Sequence, residues 1–172
     1  MADNPGTDFP NNQWGSRETA LAHAAHRFAA TRLGSWTLRR LMPLDRALLA
    51  RTDARYTLLG PIGAPIILLT TTGRSSGLPR TQPLIYLHDG DTLHVIGSNF
   101  GLDHHPAWTA NLIANPSATV AIAGERIPVI ATRVPSEDAG AIFTRFLELS
   151  AAYTAYRERT DRELRIFALR RA

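Results

Sequence analysis

The sequence predicts an α+β fold, a mostly antiparallel sheet or barrel with helices packed outside it. Two observations support this prediction. Most strand-like stretches follow one another as consecutive hairpins, whereas a parallel sheet would alternate its strands with helices. Asp89-Gly90, which lies between two apolar stretches, is the strongest short-range signal for such a hairpin.

The composition is that of one globular domain. With 172 residues, 44% hydrophobic and 20% charged, the chain is long enough to bury a sizeable core. The absence of cysteine excludes a disulfide scaffold, a thiol nucleophile and metal sites built on cysteine. No apolar run reaches the roughly 18 residues of a membrane span, and the first residues lack a signal-peptide pattern. We therefore expect a cytoplasmic protein.

The positive charge is concentrated near the N-terminus. All 19 basic residues are arginine, and the formal net charge is +4. Residues 27–55 hold seven arginines against two aspartates, so this segment carries +5 and the rest of the chain about −1. Such an asymmetry indicates an anionic partner, with a solvated helix face as the alternative. Few aromatic residues are interleaved with these arginines, which argues against nucleic acid.

The N-terminal part is expected to be a tail followed by helices. Residues 1–15 are rich in Asn, Pro, Gly and Asp, which predicts a disordered tail. Residues 16–55 form the N-terminal helical segment. Its first helix is expected to begin at a Ser16 N-cap and to stop at Gly34.

The second N-terminal helix is expected to be basic and amphipathic. Ser35 is the predicted N-cap, and Pro43 predicts a kink or a division into two short helices. Leucines and Trp36 recur at a spacing of three to four residues with arginines between them. A helix of this kind can lie on a membrane surface.

Residues 56–172 are predicted to form the barrel domain. A β-branched run bounded by Pro65 and Gly73 indicates a buried first strand, and Ser136 with acidic residues after it indicates a helix start. The expected elements, in order, are a strand at 66–72, a hairpin at 81–99, a short helix at 106–114, a second hairpin turning at 123–125, a long helix at 136–153 and a strand at 164–169.

Three segments of the barrel domain have compositions suited to binding. Residues 72–80 combine two glycines and two serines with Arg74 and Arg80, which suits an anion, although an ordinary exposed turn is the alternative. Residues 97–108 leave a strand, pass a glycine-bearing loop and enter a helix, where a polar ligand can bind. Tyr153 and Tyr156 share a helix face and could either wall a pocket or pack half-exposed on the sheet.

A metal site is not predicted. Asp103, His104 and His105 are neighbours in the chain, but adjacent histidines rarely converge on one ion and no spaced partner is evident. No serine, histidine and aspartate arrangement has recognisable spacing either. From the residues alone, the chain is a barrel-like domain with an arginine- and glycine-lined anion loop.

The sequence resembles the deazaflavin-dependent nitroreductase family, whose members are split β-barrel, FMN-binding-like proteins that bind coenzyme F420. The resemblance covers about residues 58–169 and is weaker in the basic N-terminal helix. The stretches that carry it are LLTTTGRSSGLPRTQPL, VIGSN, HPAWTANLIANP and YTAYRERTDRE. It implies an F420H2-dependent reductase that transfers a hydride to an electron-poor acceptor such as a quinone, an activated alkene or a nitroaromatic. The cofactor would supply the difficult chemistry.

The resemblance also implies which residues meet this cofactor, whose phosphodiester and polyglutamate tail makes it a polyanion. The tail and phosphate contacts fall on Arg74, Ser75, Ser76, Gly77 and Arg80. The ring contacts fall on Thr81, Gln82, Pro83, Leu84 and Ile85 and on Ile96, Gly97, Ser98 and Asn99. The phosphate side includes Ala107, Trp108 and Asn111. The donors expected to stabilise negative charge on the acceptor oxygen are Tyr153, Ser98 and Tyr156.

Departures from the family pattern give two further expectations. Ser75 stands where many relatives carry a lysine, which removes one cation for the tail. Thr109 and Ala110 replace two bulky polar residues, which predicts a wider acceptor pocket. Two alternatives remain open at this stage: an FMN-dependent oxidoreductase on the same barrel, and a non-catalytic protein that binds deazaflavin or quinone at a membrane surface. The expected partners are a small-molecule acceptor, a peripheral contact with the inner membrane face, and at most a second copy in a homodimer.

Overall fold

The computed structural model describes residues 8–10, 19–57, 64–150 and 152–172. Within them, six strands form a closed barrel: β1 (Ile66–Thr72), β2 (Pro79–Asp89), β3 (Thr92–Ile96), β4 (Ser117–Ile122), β5 (Glu125–Arg133) and β6 (Ile166–Arg171). The helices are α1 (Ala20–Ala30), α2 (Arg32–Arg51), α3 (Ala107–Ala114), α4 (Ser136–Leu149) and α5 (Ala152–Glu158). Around the barrel the order is β1-β2-β3-β6-β5-β4, and every neighbouring pair is antiparallel. The predicted α+β barrel is confirmed.

Both predicted hairpins are present because their turns carry strong local signals. Asp89 pairs with Thr92 across a two-residue turn in which Gly90 has φ 60°. In the second hairpin, Ala123 and Gly124 have φ 55° and 90°, the left-handed pair that matches the twist of a tight hairpin. The turn residues therefore fix the register of both hairpins.

The barrel interior is filled by alternate side chains of all six strands. Trp108 of α3 joins this core and lies 5.6 Å from Phe167, measured between ring centroids. Phe9 also belongs to it, and its carbonyl accepts a hydrogen bond from His88 Nε2 at 2.9 Å. Phe9 therefore departs from the predicted disordered tail. Burying its apolar ring in the barrel core is favourable.

Two apolar clusters pack the helices onto the outside of the barrel. Leu49 of α2 is buried against Ile66 and Leu68. On another side, Phe146 of α4 and the tyrosines of α5 pack over Leu87, Ile96 and Ile166. A space between α2 and α5 is thereby bordered by barrel strands.

The predicted boundary between α1 and α2 is wrong. Thr31 is the N-cap of α2, and its hydroxyl accepts a hydrogen bond from the Gly34 amide at 2.9 Å, so Gly34 and Ser35 lie inside the helix. A Cβ at Gly34 would stand 1.8 Å from the Phe28 carbonyl oxygen. The glycine allows the two helices to approach closely and does not stop the first. Ser16 lies outside the described residues.

Two other helix predictions also need correction. Pro43 lies within one continuous helix, α2, and does not divide it. The long helix predicted after residue 135 ends at Leu149, and Pro135 is its N-cap, while the Ser136 hydroxyl donates to Glu163. Ser150 is extended at φ −161° and ψ 127°, and its hydroxyl accepts a hydrogen bond from the Ala152 amide, which starts α5 as a separate helix.

Candidate functional site

A cavity of about 620 Å³ lies between the barrel and helices α1, α2 and α5. Its volume is in the range of small-molecule sites, and its wall is mostly apolar with a few polar groups, which is typical of cofactor pockets. Many of the predicted site residues lie together in this wall. They are Gln82, Pro83, Leu84, Ile85, Ile96, Ser98, Asn99, Ala107, Trp108, Tyr153 and Tyr156.

The other predicted contacts do not line the cavity. Residues 74–77 and Arg80 are exposed, and Thr81 and Gly97 are not in the wall. The Thr81 hydroxyl lies 2.9 Å from that of Thr70 across the β1–β2 pair. Arg80 lies two residues before Gln82 on β2, so the end of the anion loop lies near the cavity wall.

Asn111 has a different place from the one predicted. It is buried, its Oδ1 accepts from the Arg74 amide at 3.1 Å, and its Nδ2 donates to Thr71 Oγ1 at 2.9 Å. The side chain therefore ties the loop after β1 to α3, whose first residues line the cavity. Asn111 thereby supports the anion loop from behind.

The expectation of a pocket widened at Thr109 and Ala110 is wrong. Neither residue lines the cavity, and Thr109 is fully buried with its hydroxyl donating to the Pro106 carbonyl at 2.9 Å. A Cβ at Gly97 would stand 2.7 Å from the Thr109 methyl group. The Thr109 side chain therefore packs against Gly97 and does not widen the cavity.

The loop after β3 has an unusual backbone. Asn99, Phe100 and Gly101 are all left-handed, with φ of 47°, 56° and 75°. This is uncommon for a bulky aromatic residue and is often found at ligand sites. A Cβ at Gly101 would stand 2.7 Å from the Tyr156 carbonyl oxygen, so only glycine fits there. Ser98, Asn99 and Phe100 all line the cavity.

Tyr153 presents a neutral phenol to the cavity. It is almost fully buried, and its ring meets those of Phe146 and Tyr156 edge-on at 5.3 and 5.9 Å. Burial raises the pKa of Tyr153 far above its usual value, with a smaller contribution from Tyr156. The hydroxyl therefore keeps its proton at physiological pH. Among the residues that the structure describes, it has no hydrogen-bond partner.

Tyr156 is held by the chain itself. Its hydroxyl donates to the Ala29 carbonyl at 3.5 Å, and the Arg159 guanidinium lies 5.7 Å from its ring centroid. Burial raises its pKa, while the Ser35 hydroxyl and the guanidinium groups of Arg159 and Arg39 act in the opposite direction. Tyr156 shapes the wall, and Tyr153 has the hydroxyl that remains available for a ligand.

Sequence reasoning missed the contribution of the N-terminal helices to the wall. Leu38, Met42 and Asp45 of α2 line the cavity, together with Phe28 of α1. Their spacing of three to four residues marks an inner helix face. The arginines between them make the same pattern typical of a solvent- or membrane-facing helix. His104 and His105 also border the cavity. No group of three or more metal-binding side chains occurs in the part of the chain that the structure describes.

Comparison with known protein families gives one family for most of the chain. Residues 44–171 match the family described as F420H(2)-dependent quinone reductase. An F420H(2)-dependent quinone reductase of Mycobacterium tuberculosis H37Rv is 32% identical over 136 residues, which are 76% of this chain and 90% of the relative.

Two solved structures share the fold at similar identity. One, described as an F420-H2 dependent reductase (FDR-A), has a TM-score of 0.56 and 30% identity and covers 61% of this chain and 93% of its own. Another, described as a domain-swapped dimer, has a TM-score of 0.59 and 28% identity and covers 78% of this chain and 97% of its own.

Proposed function

Because this chain belongs to the F420H(2)-dependent quinone reductase family and is an F420H2-dependent oxidoreductase, we propose that its cavity takes both coenzyme F420 and a quinone acceptor. The observation that supports this most is the convergence of β2, the loop after β3 and Tyr153 on one cavity of about 620 Å³. Family membership disfavours the FMN-dependent and non-catalytic alternatives. A nitroaromatic or an activated alkene is the alternative to a quinone as the acceptor.

The residues of the cavity fit a flat ring with a long anionic tail. Residues 82–85 of β2 offer an apolar wall with strand backbone beside it, and Trp108 of α3 adds an aromatic surface. Arg74 and Arg80 are exposed next to this wall, where a charged tail can stay in water and still meet guanidinium groups. Asn111 keeps the Arg74 backbone in place.

The protein's own contribution to the reaction is binding, orientation and proton control. Reduced deazaflavin, when bound, supplies the hydride. Hydride addition to a quinone leaves negative charge on an oxygen atom, which a positioned donor stabilises. The Tyr153 hydroxyl is protonated and lines the cavity, so we assign it this role, and Ser98 is the second donor in the wall. A proton from water completes the hydroquinone, while the Tyr153 hydroxyl keeps its own proton and acts as a hydrogen-bond donor.

This assignment is tested by supplying reduced F420, reduced FMN or NADPH to the purified protein with menadione under anaerobic conditions. We expect rapid turnover with reduced F420 alone and a saturable change in its fluorescence on binding. Equal turnover with reduced FMN, or no binding of F420, would contradict the proposal. Replacing menadione by a nitroaromatic or an activated alkene in the same assay ranks the acceptors.

We further propose that the outer face of α2 contacts an anionic membrane, where lipid-soluble quinones reside. Leu33, Trp36, Leu41 and Leu44 are exposed on this helix, and the Arg40 guanidinium lies 5.2 Å from the Trp36 ring centroid. Arginines beside exposed apolar side chains are typical of interfacial helices. The inner face of the same helix lines the cavity. Among the described residues, no helix combines the length and apolarity needed to cross a membrane.

The membrane contact is tested by flotation with anionic and neutral vesicles. The double variant Trp36→Ser/Leu44→Ser should lose most of its binding to anionic vesicles while keeping activity on a water-soluble quinone. Ile113→Ser, which changes an exposed residue on α3, is the matched control. Equal flotation of all three proteins would argue against the contact.

A further inference from the structure

The side chain of Arg162, which follows α5, is bonded almost entirely to the loop after β3. Its Nε donates to the Leu102 carbonyl at 2.8 Å, Nη1 to the Gly97 carbonyl at 3.0 Å and Nη2 to the Ser98 carbonyl at 2.5 Å. Nη1 also lies 3.3 Å from His105 Nδ1 and 3.4 Å from the Glu163 carbonyl oxygen. One guanidinium therefore contacts both ends of residues 97–105.

The loop's own backbone hydrogen bonds leave part of it to be held by an external partner. Asn99 and Phe100 are left-handed, a conformation that is unfavourable for such residues unless their surroundings hold it. Within the loop, the Gly101 amide bonds the Ser98 carbonyl at 3.0 Å and the Leu102 amide bonds the Asn99 carbonyl at 3.1 Å. The carbonyl of Gly97 turns instead to Arg162.

Arginine is suited to this place in a way that lysine is not. Its planar fork carries five N–H donors and can satisfy three carbonyl groups at fixed angles, whereas an ammonium group acts from a single point. Burial lowers the pKa of Arg162, with Arg165 acting in the same direction and Asp103 against it. The guanidinium nevertheless stays charged at any physiological pH, so its bonds to carbonyl groups are of the stronger, charge-assisted kind.

We propose that Arg162 is a positioning residue for the cofactor: it holds the left-handed loop that presents Ser98 and Asn99 to the cavity. This inference rests on the proposed function, because it assigns those two residues to the cofactor side of the site. Arg162 itself does not line the cavity and is not a catalytic residue. The sequence offered no signal for it beyond its place in the stretch YTAYRERTDRE.

The test combines cofactor binding with loop order measured without cofactor. Arg162→Met should raise the Kd for reduced F420 about tenfold or more, since it removes several charge-assisted hydrogen bonds at once. In the cofactor-free protein, the Gly101 and Leu102 amides should exchange hydrogen at least about tenfold faster. Arg162→Lys should recover only part of both losses. In Arg162→Ala, millimolar guanidinium should restore binding, whereas urea at the same concentration should not.

Arg133→Met is the matched control. Arg133 forms an exposed ion pair with Glu163 at 2.6 Å, next to Arg162 in the chain, but no hydrogen bond to residues 97–105. It should keep wild-type Kd and exchange rates. If Arg162→Met also kept both, the inference would be overturned. If the wild-type protein did not bind F420, the proposed function would fail, while the exchange rates would still decide whether Arg162 holds the loop.

Discussion

The two tyrosines of α5 differ in what their hydroxyls can do. Tyr156 already donates to the Ala29 carbonyl, and its ring is covered by Arg159. Tyr153 has a raised pKa from burial and, among the described residues, no hydrogen-bond partner for its hydroxyl. An available, protonated donor in an apolar wall is worth more to a developing oxyanion than one already engaged. We therefore assign Tyr153 as the hydrogen-bond donor and Tyr156 as a residue of the cavity wall.

Removing the Tyr153 hydroxyl should lower kcat without weakening cofactor binding. For Tyr153→Phe we expect kcat with menadione to fall about 10²-fold, the size of loss seen when one oxyanion donor is removed. The Kd for reduced F420 should stay within about twofold, because the ring packing is kept. Stopped-flow kinetics and fluorescence titration measure the two quantities. Tyr56→Phe, at an exposed tyrosine, is the control.

An equal fall in kcat for Tyr56→Phe, or none for Tyr153→Phe, would remove Tyr153 from the mechanism. A fall for Tyr153→Phe that is matched by a weaker Kd would instead assign the residue to cofactor binding. Because the pKa of Tyr153 is raised, its proton is retained through neutral and mildly alkaline pH. The wild-type kcat should therefore show no loss from phenol ionisation in that range.

Single residues of the site could be predicted only where a local motif identified them. Ser98, Asn99 and Tyr153 follow from stretches of sequence that match a family, and the structure brings them to one cavity. For Asn111, the motif gives the position in the chain but not the direction of the side chain. Its amide bonds Thr71 and the Arg74 backbone, partners about 40 residues away that no local pattern reveals.

At the scale of elements, the anion loop after β1 carries the electrostatic part of the site. The double variant Arg74→Glu/Arg80→Glu should weaken binding of F420 about tenfold or more, and the loss should shrink as salt rises or as the polyglutamate tail is shortened. Both side chains are exposed, so stability should change little. Arg126→Glu, on the far hairpin, is the control, and unchanged affinity in the double variant would contradict a role for the loop.

The α1–α2 pair is joined to the end of α5 by an arginine. Arg159, which directly follows α5, holds it by donating to Ser35 Oγ at 2.9 Å and to the Ala30 carbonyl. Arg159→Met should loosen α1 and α2, which line the cavity opposite the predicted ring contacts on β2 and the loop after β3. If the acceptor binds on the helix side, the KM for menadione should rise several-fold while the Kd for F420 stays near wild type. Arg157→Met, two residues earlier and exposed, is the matched control. Equal KM values in both variants would show that this junction does not shape the acceptor site.

Elements were predictable where the signal is local and missed where it is tertiary. The Gly90 and Ala123-Gly124 turns set both hairpins, because left-handed turn residues act within four positions of the chain. The sequence pattern at Gly34 predicts a helix stop, yet in the fold only a glycine leaves room there for the Phe28 carbonyl of the other helix. The break at Ser150 likewise precedes a helix with tertiary contacts, since Tyr156 of α5 packs against Phe100 with the ring centroids 5.6 Å apart.

For the whole molecule, the barrel is a rigid frame and the helices complete the site. Every strand pairs on both sides, so the closed barrel has no free edge, and the cavity forms only where α1, α2 and α5 meet its surface. Composition and periodicity predict the barrel class, since hairpins and core stripes are short-range patterns. The cavity draws on residues from Ala25 to Tyr156, and its assembly could not be predicted without the fold.

A crystal structure of the protein with F420 tests the central claim most directly. It should show the deazaflavin ring against residues 82–85 and the Ser98 loop, with an open face toward the Tyr153 hydroxyl and the anionic tail beside Arg74 and Arg80. A ring bound outside this cavity, or a tail that leaves the molecule without meeting either guanidinium, would contradict the account.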